Sequence, residues 1–396
     1  GDLDLSQVAF ALYFDNGSAD GELVKDDLKP ESDGTIDVSN LVLEDGSYKL
    51  VETQTAPNYV LSSQPVYFVV NNQQAYGITL DLNNYQASIK GRKVSGDKEL
   101  AGAEYQIFKS DNLDTPIDTT DVTGDDQTTI MTNSDGEFFA KGLSAGDYVL
   151  KETKAPDGYI LDTTERRFTI NPQKGKPVTL DLGDFENYQG TAKLIKQAES
   201  GKLLADAVFE VQTKAGDTVQ ENLNSNENGE VTAKDLEPGN YQFVETKAPA
   251  GYLINTTPIP FTIDAEAAGE PAVVVASENF VNYQGSARFR KTDAANKPLA
   301  HAEFEVRNAD NKVVGNATYS DEDGFVTATD LAPGKYKFVE TEAPEGYLIN
   351  DTEIPFTIPT EAADKPAVVE ALNGDDFIDY KGSAVLTKAD ANGDPL

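Results

Sequence analysis

The sequence predicts an all-β protein made of tandem β-sandwich domains, and three observations carry that prediction. First, a box recurs four times: Y-K-L-V-E-T-Q-T-A-P-N-Y at 48–59, Y-V-L-K-E-T-K-A-P-D-G-Y at 148–159, Y-Q-F-V-E-T-K-A-P-A-G-Y at 241–252 and Y-K-F-V-E-T-E-A-P-E-G-Y at 336–347. Second, short β-branched or aromatic runs lie between the boxes, such as V-Y-F-V-V at 66–70 and F-T-I at 168–170, 261–263 and 356–358. Turn clusters separate these runs, among them N-S-D-G-E-F at 133–138, N-E-N-G-E-V at 226–231 and D-E-D-G-F-V at 321–326. Third, no long amphipathic helical stretch competes with the pattern, so each repeat is expected to be an antiparallel sandwich.

The box glutamates, Glu52, Glu152, Glu245 and Glu340, recur at about one hundred residues, the size of a domain with its own core. Boundaries are expected at Asn84-Tyr85-Gln86, Asn187-Tyr188-Gln189, Asn282-Tyr283-Gln284 and Asp379-Tyr380-Lys381. They divide the chain into a first repeat at 1–85, a second at 86–188, a third at 189–283 and a fourth at 284–381. Residues 382–396 are then the opening strand of a further repeat, or a donated strand. The joins are short, which restricts hinge motion and predicts a semi-rigid rod. Extra Asp- and Thr-rich residues around 110–130 of the second repeat are expected to form an enlarged surface loop.

Composition removes several function classes. The chain has no cysteine, which excludes disulfides, thiol catalysis and cysteine-based metal sites. A net charge of −36 speaks against nucleic acid as a partner, because phosphate binding needs a basic surface, and suits a solvated exterior. No apolar run is long enough for a membrane span, and no basic region followed by an apolar one marks a signal peptide, so the sequence reads as soluble and trimmed.

Strand parity isolates the candidate functional residues. Alternate residues of a strand share a face, so each box aligns its glutamate with apolar residues, as in Tyr241, Phe243 and Glu245. In the opening strands Ala192 and Leu194 align with Lys196, Ala287 and Phe289 with Lys291, and Ala384 and Leu386 with Lys388, while Lys93 follows Ala87, Ile89 and Gly91. In the closing strands Phe185 aligns with Asn187, Phe280 with Asn282, Phe377 with Asp379 and Leu82 with Asn84.

Two readings follow. Lysine can snorkel at a strand end or form an ordinary buried ion pair. Alternatively, burial lowers a lysine pKa and raises a carboxyl pKa, placing a neutral, nucleophilic amine beside a protonated acid. Such an amine can attack the side-chain carbonyl of Asn or Asp while the glutamic acid polarises it and shuttles protons. The product is an isopeptide bond between first and last strands, with ammonia leaving from Asn or water from Asp.

The E-T-K-A-P-x-G-Y box, the lysine about nine residues before an A-x-A-x-F-like strand, and the terminal Asn or Asp together resemble the Cna B-type (SpaA-like, prealbumin-like) repeat domains of Gram-positive surface proteins and pilins. The resemblance covers nearly the whole chain. It implies immunoglobulin-like/transthyretin-like sandwiches with autocatalytic bonds, and assigns Lys93 to Asn187 under Glu152, Lys196 to Asn282 under Glu245, and Lys291 to Asp379 under Glu340. It also implies an extracellular, cell-wall-attached stalk or fibre shaft that uses no cofactor or metal and turns over no external substrate. Neighbouring repeats or head-to-tail copies would be its partners. A rival reading is an adhesin whose repeats bind a host matrix protein or glycan.

The first repeat departs from the pattern. Its box lacks the glycine, and Glu52 and Asn84 have no lysine donor, since Lys25 and Lys29 lie in a turn-like stretch and Lys49 has outward parity. Residues 383–396, conversely, read as an opening strand bearing Lys388. Either the chain is a segment of a longer array, or its terminal strand fills the first repeat of another copy and joins Lys388 to Asn84. Three other features are expected to be inert. His301 is a surface residue, D-E-D-G at 321–324 is a turn because Ala332 stands where a calcium loop needs glutamate, and the N-x-T sequons at Asn255, Asn316 and Asn350 carry no bacterial function.

Overall fold

The computed structural model of the chain describes residues 4–62, 64–71, 81–172 and 176–395; the last residue of the expected 382–396 strand lies outside them. They cluster into two compact units, one of residues 1–190 with 264–272, the other of 191–263 with 273–396. Strands dominate both.

The second repeat shows the plan. One sheet holds the opening strand Ala87–Ser95 between Glu137–Leu143 and the closing strand Thr179–Glu186. The other runs Glu104–Lys109, the box strand Gly146–Lys154, then Arg166–Ile170. The core lies between them: Ile89, Phe138 and Phe185 of the first sheet face Tyr105, Ile107 and Leu150 of the second. Each such buried side chain contributes about 1.5–3 kcal/mol. The third and fourth repeats follow the same plan around opening strands Gly190–Ala198 and Gly285–Asp293 and box strands Gly239–Lys247 and Gly334–Glu342.

Three sequence expectations need correction. The sandwiches are not wholly antiparallel: closing strands run parallel to opening strands, with Lys93 opposite Phe185, Lys196 opposite Phe280 and Lys291 opposite Phe377. A parallel pair needs a long crossover, and here the rest of the repeat supplies it. The insertion around 110–130 is not a bare loop, because Asn112–Pro116, Thr119–Thr120 and Asp126–Gln127 add edge strands to both sheets. Lys25 lies in an exposed strand, Glu22–Leu28, rather than a turn. Residues 383–388 join no sheet ladder, and Val385 and Leu386 are exposed; a strand has no backbone partners of its own and forms only where an edge receives it.

The described residues of the first repeat make a single sheet, ordered Glu22–Leu28, Ala9–Phe14, Gly46–Gln54, Val66–Val70. Its box still folds as the others do. Tyr48, Tyr148, Tyr241 and Tyr336 each donate a hydroxyl hydrogen bond to the carbonyl four residues earlier, at 2.9, 2.9, 3.0 and 2.9 Å. Each ring stacks on Phe68, Phe168, Phe261 or Phe356, with centroids 5.3 to 5.6 Å apart.

The recurring turn glycine serves the opening lysine. Asn133, Asn226 and Asp321 each cap their turn by accepting amide hydrogen bonds from the residues two and four further on. This holds Gly136, Gly229 and Gly324 at φ +71°, +69° and +83°. Their carbonyls accept from the backbone amides of Lys93, Lys196 and Lys291 at 2.8, 2.7 and 2.7 Å. A Cβ at any of the three would collide with that lysine's carbonyl oxygen. Gly229→Ala is therefore expected to destabilise the third repeat by about 1–3 kcal/mol. Hydrogen exchange should quicken across strand Gly190–Ala198, and unchanged exchange there would refute the assignment.

Candidate functional site

Parallel pairing decides where the candidate groups meet. Because Lys196 is opposite Phe280, Asn282 is opposite Ala198 and shares the inner face with Lys196. The box strand crosses beneath on the facing sheet and presents Glu245. All three side chains are buried, with Lys196 and Asn282 at 0% and Glu245 at 4% exposure. Lys93, Glu152 and Asn187 are enclosed in the same way, as are Lys291, Glu340 and Asp379.

The three clusters differ in which pair is closest. In the second repeat Lys93 Nζ lies 3.0 Å from Glu152 Oε1, and Asn187 Nδ2 donates to the Ile160 carbonyl at 3.0 Å. In the third, Lys196 Nζ is 4.0 Å from Glu245 Oε1 and donates to the Phe280 carbonyl at 3.1 Å. There Asn282 Nδ2 donates to Glu245 Oε2 at 2.8 Å and to the Leu253 carbonyl at 2.6 Å. In the fourth, Lys291 Nζ meets Asp379 Oδ1 at 2.6 Å. The side-chain carbonyl oxygens of Asn187 and Asn282 have no hydrogen-bond partner among the described residues.

Desolvation outweighs charge attraction here. Burial lowers the Lys93 pKa despite Glu152, and pushes Lys196 down to about 8 despite Glu245. It raises the carboxyls of Glu152 and Glu245, and raises that of Glu340, with the Asp379 charge adding to the effect. Each of these shifts runs toward the neutral form, the direction that amide formation between an amine and an amide needs.

One recurring contact was not foreseen from sequence. The backbone amide ten residues after each box glutamate donates to its Oε2: Ser62 to Glu52 at 2.7 Å, Asp162 to Glu152 at 2.7 Å, Asn255 to Glu245 at 2.8 Å and Asn350 to Glu340 at 2.7 Å. Oε1 is left to face the cluster. Asn255 and Asn350 also donate Nδ2 to the carbonyls of Val281 and Ile378, each just before the acceptor, at 2.9 and 3.0 Å. Two of the three sequons thus fall on structural asparagines, and the constant spacing from the glutamate was the available signal. In the second repeat Asp162 stands there instead, paired with Arg166 at 2.9 Å.

The first repeat carries the acid and amide alone. Asn84 Nδ2 donates to Glu52 Oε2 at 2.7 Å and to the Val60 carbonyl at 3.2 Å. No lysine meets them among the described residues: Lys29 pairs with Asp27 at 3.0 Å and Lys49 lies over the Tyr13 ring. Lys388 is exposed, at the end of residues 383–388, which pair with no strand. His301 is exposed, and Asp321 accepts its own turn amides. Among the described residues no acidic or histidine cluster suits a metal ion, and no helix is long and apolar enough to cross a membrane.

The chain is 22% identical over 329 residues to serine-aspartate repeat-containing protein D of Staphylococcus aureus, covering 68% of this chain and 24% of that protein. It is 32% identical over 111 residues to fimbrial subunit type 2 of Actinomyces naeslundii, covering 22% of this chain and 21% of that one. Among solved structures, the Bacillus anthracis TIE protein aligns with a TM-score of 0.42 at 22% identity, over 96% of this chain and 70% of that one. The family model of the SpaA prealbumin-like fold domain matches four times, at residues 1–86, 87–184, 190–278 and 285–373. These four tandem matches, which together span most of the chain, place it in the SpaA prealbumin-like fold domain family.

Proposed function

We propose that the chain is a structural shaft segment of a Gram-positive surface protein or pilus, and that each of its last three repeats is stapled by an isopeptide bond. The observation that carries this reading is the enclosure of one lysine, one glutamate and one Asn or Asp, all almost inaccessible, in three separate repeats. Even a paired charge is costly to desolvate, so three such clusters in one chain are explained best by chemistry that removes the charge. The relative named as a fimbrial subunit supports an extracellular structural role, and cell-wall attachment belongs to the same proposal.

In the second and third repeats the neutral Nζ of Lys93 or Lys196 attacks Cγ of Asn187 or Asn282. The protonated Glu152 or Glu245 hydrogen-bonds the side-chain oxygen as it gains charge, then passes a proton to the departing nitrogen. The Nζ–Cγ bond forms, the Cγ–Nδ2 bond breaks, and ammonia leaves. The glutamate recovers its proton from the attacking nitrogen. In the fourth repeat Lys291 Nζ attacks Cγ of Asp379 beside Glu340: the Nζ–Cγ bond forms, a Cγ–O bond breaks, and that oxygen leaves as water. Each bond closes a loop of nearly a whole repeat, stabilising it by roughly 4–5 kcal/mol on the loop-entropy scale of disulfides. It also routes a pulling force through a covalent link between neighbouring strands.

The lone Glu52–Asn84 pair and the exposed Lys388 favour a second element of the proposal, in which copies join head to tail through a Lys388–Asn84 bond.

Intact mass tests the internal bonds: the purified chain should fall below its translated mass by two ammonias and one water, and Glu245→Ala should restore one ammonia. An unshifted mass overturns the reading. For the pH dependence, chain isolated unfolded before any bond has formed, as judged by an unshifted mass, can be diluted into buffers from about pH 5 to about pH 9 and bond formation in the third repeat followed by mass. Lys196 titrates at about 8, so the rate should fall on the acid side as the amine takes up its proton, approaching about tenfold per pH unit. A flat profile would exclude Lys196 as the nucleophile. The head-to-tail bond should appear as a ladder on a denaturing gel that vanishes in Lys388→Ala; a single monomer band for the unaltered chain removes it.

A further inference from the structure

We infer that bond formation in the third repeat is positioned by the fourth, which pairs with residues 254–256 and so sets Asn255, the residue that holds both Glu245 and the strand carrying Asn282. The inference rests on the isopeptide reading above and adds the following repeat to the machinery of the bond.

Asn255 touches both halves of the cluster. Its backbone amide donates to Glu245 Oε2 at 2.8 Å, and its Nδ2 donates to the carbonyl of Val281, the residue before Asn282, at 2.9 Å. Its Oδ1 accepts from the Thr257 amide at 3.0 Å, so the side chain is committed at both ends. One residue thus fixes the acid relative to the strand that bears the acceptor. A misplacement of about 1 Å between such groups can cost about a hundredfold in rate.

Asn255 is itself set from the fourth repeat. It lies in the two-residue strand Ile254–Asn255, whose ladder partner among the described residues is Glu361–Ala362 of that repeat. Ile254 and Thr256 donate their amides to the carbonyls of Thr360 and Ala362, each at 3.0 Å. Successive residues of an extended segment face opposite ways, so the Asn255 amide between them is turned to Glu245. The Thr257 hydroxyl donates to the Ala363 carbonyl. At the other end of the segment Leu253, 1% exposed, packs with Ala287, Phe289 and Phe304 in the core of the fourth repeat. The segment is therefore anchored in the following repeat on both sides of Asn255.

The arrangement recurs one repeat earlier with a different side chain. Leu161 and Thr163 donate to the carbonyls of Ala265 and Ala267 at 3.0 and 2.9 Å, and Asp162 between them holds Glu152 Oε2 through its amide at 2.7 Å. Asp162 Oδ1 also accepts from the Gly269 amide at 3.1 Å. Residues 265–269 again belong to the repeat next in the chain. What the two sites share is the backbone pairing that flanks the residue on the glutamate. Cross-linking of the third repeat accordingly follows docking of the fourth.

The test uses full-length chain isolated unfolded before any bond has formed, diluted into buffer, with ammonia loss followed in the peptides that carry Lys196 and Asn282. Asn255→Ala keeps the backbone amide and removes the bond to Val281; it should slow the third-repeat bond about tenfold to a hundredfold. Leu253→Ala removes a side chain that lies in the fourth repeat, and should slow the same bond about tenfold. If that variant also prevents the fourth repeat from folding, the joint is lost and the expected slowing is the same. In both variants the acid-side inflection of the rate should stay where Lys196 titrates, at about 8, because positioning changes the level of the rate and leaves the amine buried. An inflection displaced toward the ordinary lysine range means that the cluster has opened to water, and it overturns the positioning role. An unchanged rate in either variant overturns the inference while the isopeptide reading stands. An unaltered chain whose mass never shifts removes that reading and this inference with it.

Discussion

Desolvation of a lysine amine beside an acid is the constraint on which the rest of each repeat depends. An apolar side chain at the same position would add about 1.5–3 kcal/mol, whereas an uncompensated buried charge costs several. Lys93 and Lys291 lie 3.0 and 2.6 Å from the carboxylates of Glu152 and Asp379, and Lys196 lies 4.0 Å from that of Glu245, which offsets part of the cost of enclosing them. The parallel closing strand brings the acceptor to the same face, and the backbone amide ten residues past the glutamate holds one carboxylate oxygen. The turn glycine leaves room for the lysine carbonyl and bonds the lysine amide. These are several independent parts of the chain converging on one enclosed volume, which is how a site is preorganised.

The repeats are also linked through their cores. Val60 and Leu253 lie close in sequence to a box glutamate, yet each completes the core of the repeat that follows. The polar cluster and the joint therefore share one stretch: Leu253 accepts from Asn282 through its carbonyl and buries its side chain next door. Folding of one sandwich and docking of the next are thereby coupled by a few residues after the box.

Variation among the repeats keeps the backbone geometry and changes the side-chain chemistry. Asp162 with Arg166 replaces the asparagine found at Asn255 and Asn350, while the amide bond to the glutamate is unchanged. The first repeat keeps the tyrosine hydroxyl bond and the Glu52–Asn84 contact without an opening lysine. Both contacts need only the box strand and its neighbours, so they persist in a single sheet.

The sequence by itself determined the repeats, the strand class, and the lysine, glutamate and Asn or Asp at inward positions, because alternation along a strand is local and the box recurs in register. Only the tertiary structure decided that Lys196 and Asn282 lie on neighbouring parallel strands, since strand direction depends on contacts between residues far apart in the chain. It likewise decided that Val60 and Leu253 belong to the core of the following repeat and that Leu348 is left exposed. An apolar residue after a turn looks the same in sequence whether it fills its own sandwich or its neighbour's, because only packing in three dimensions distinguishes them.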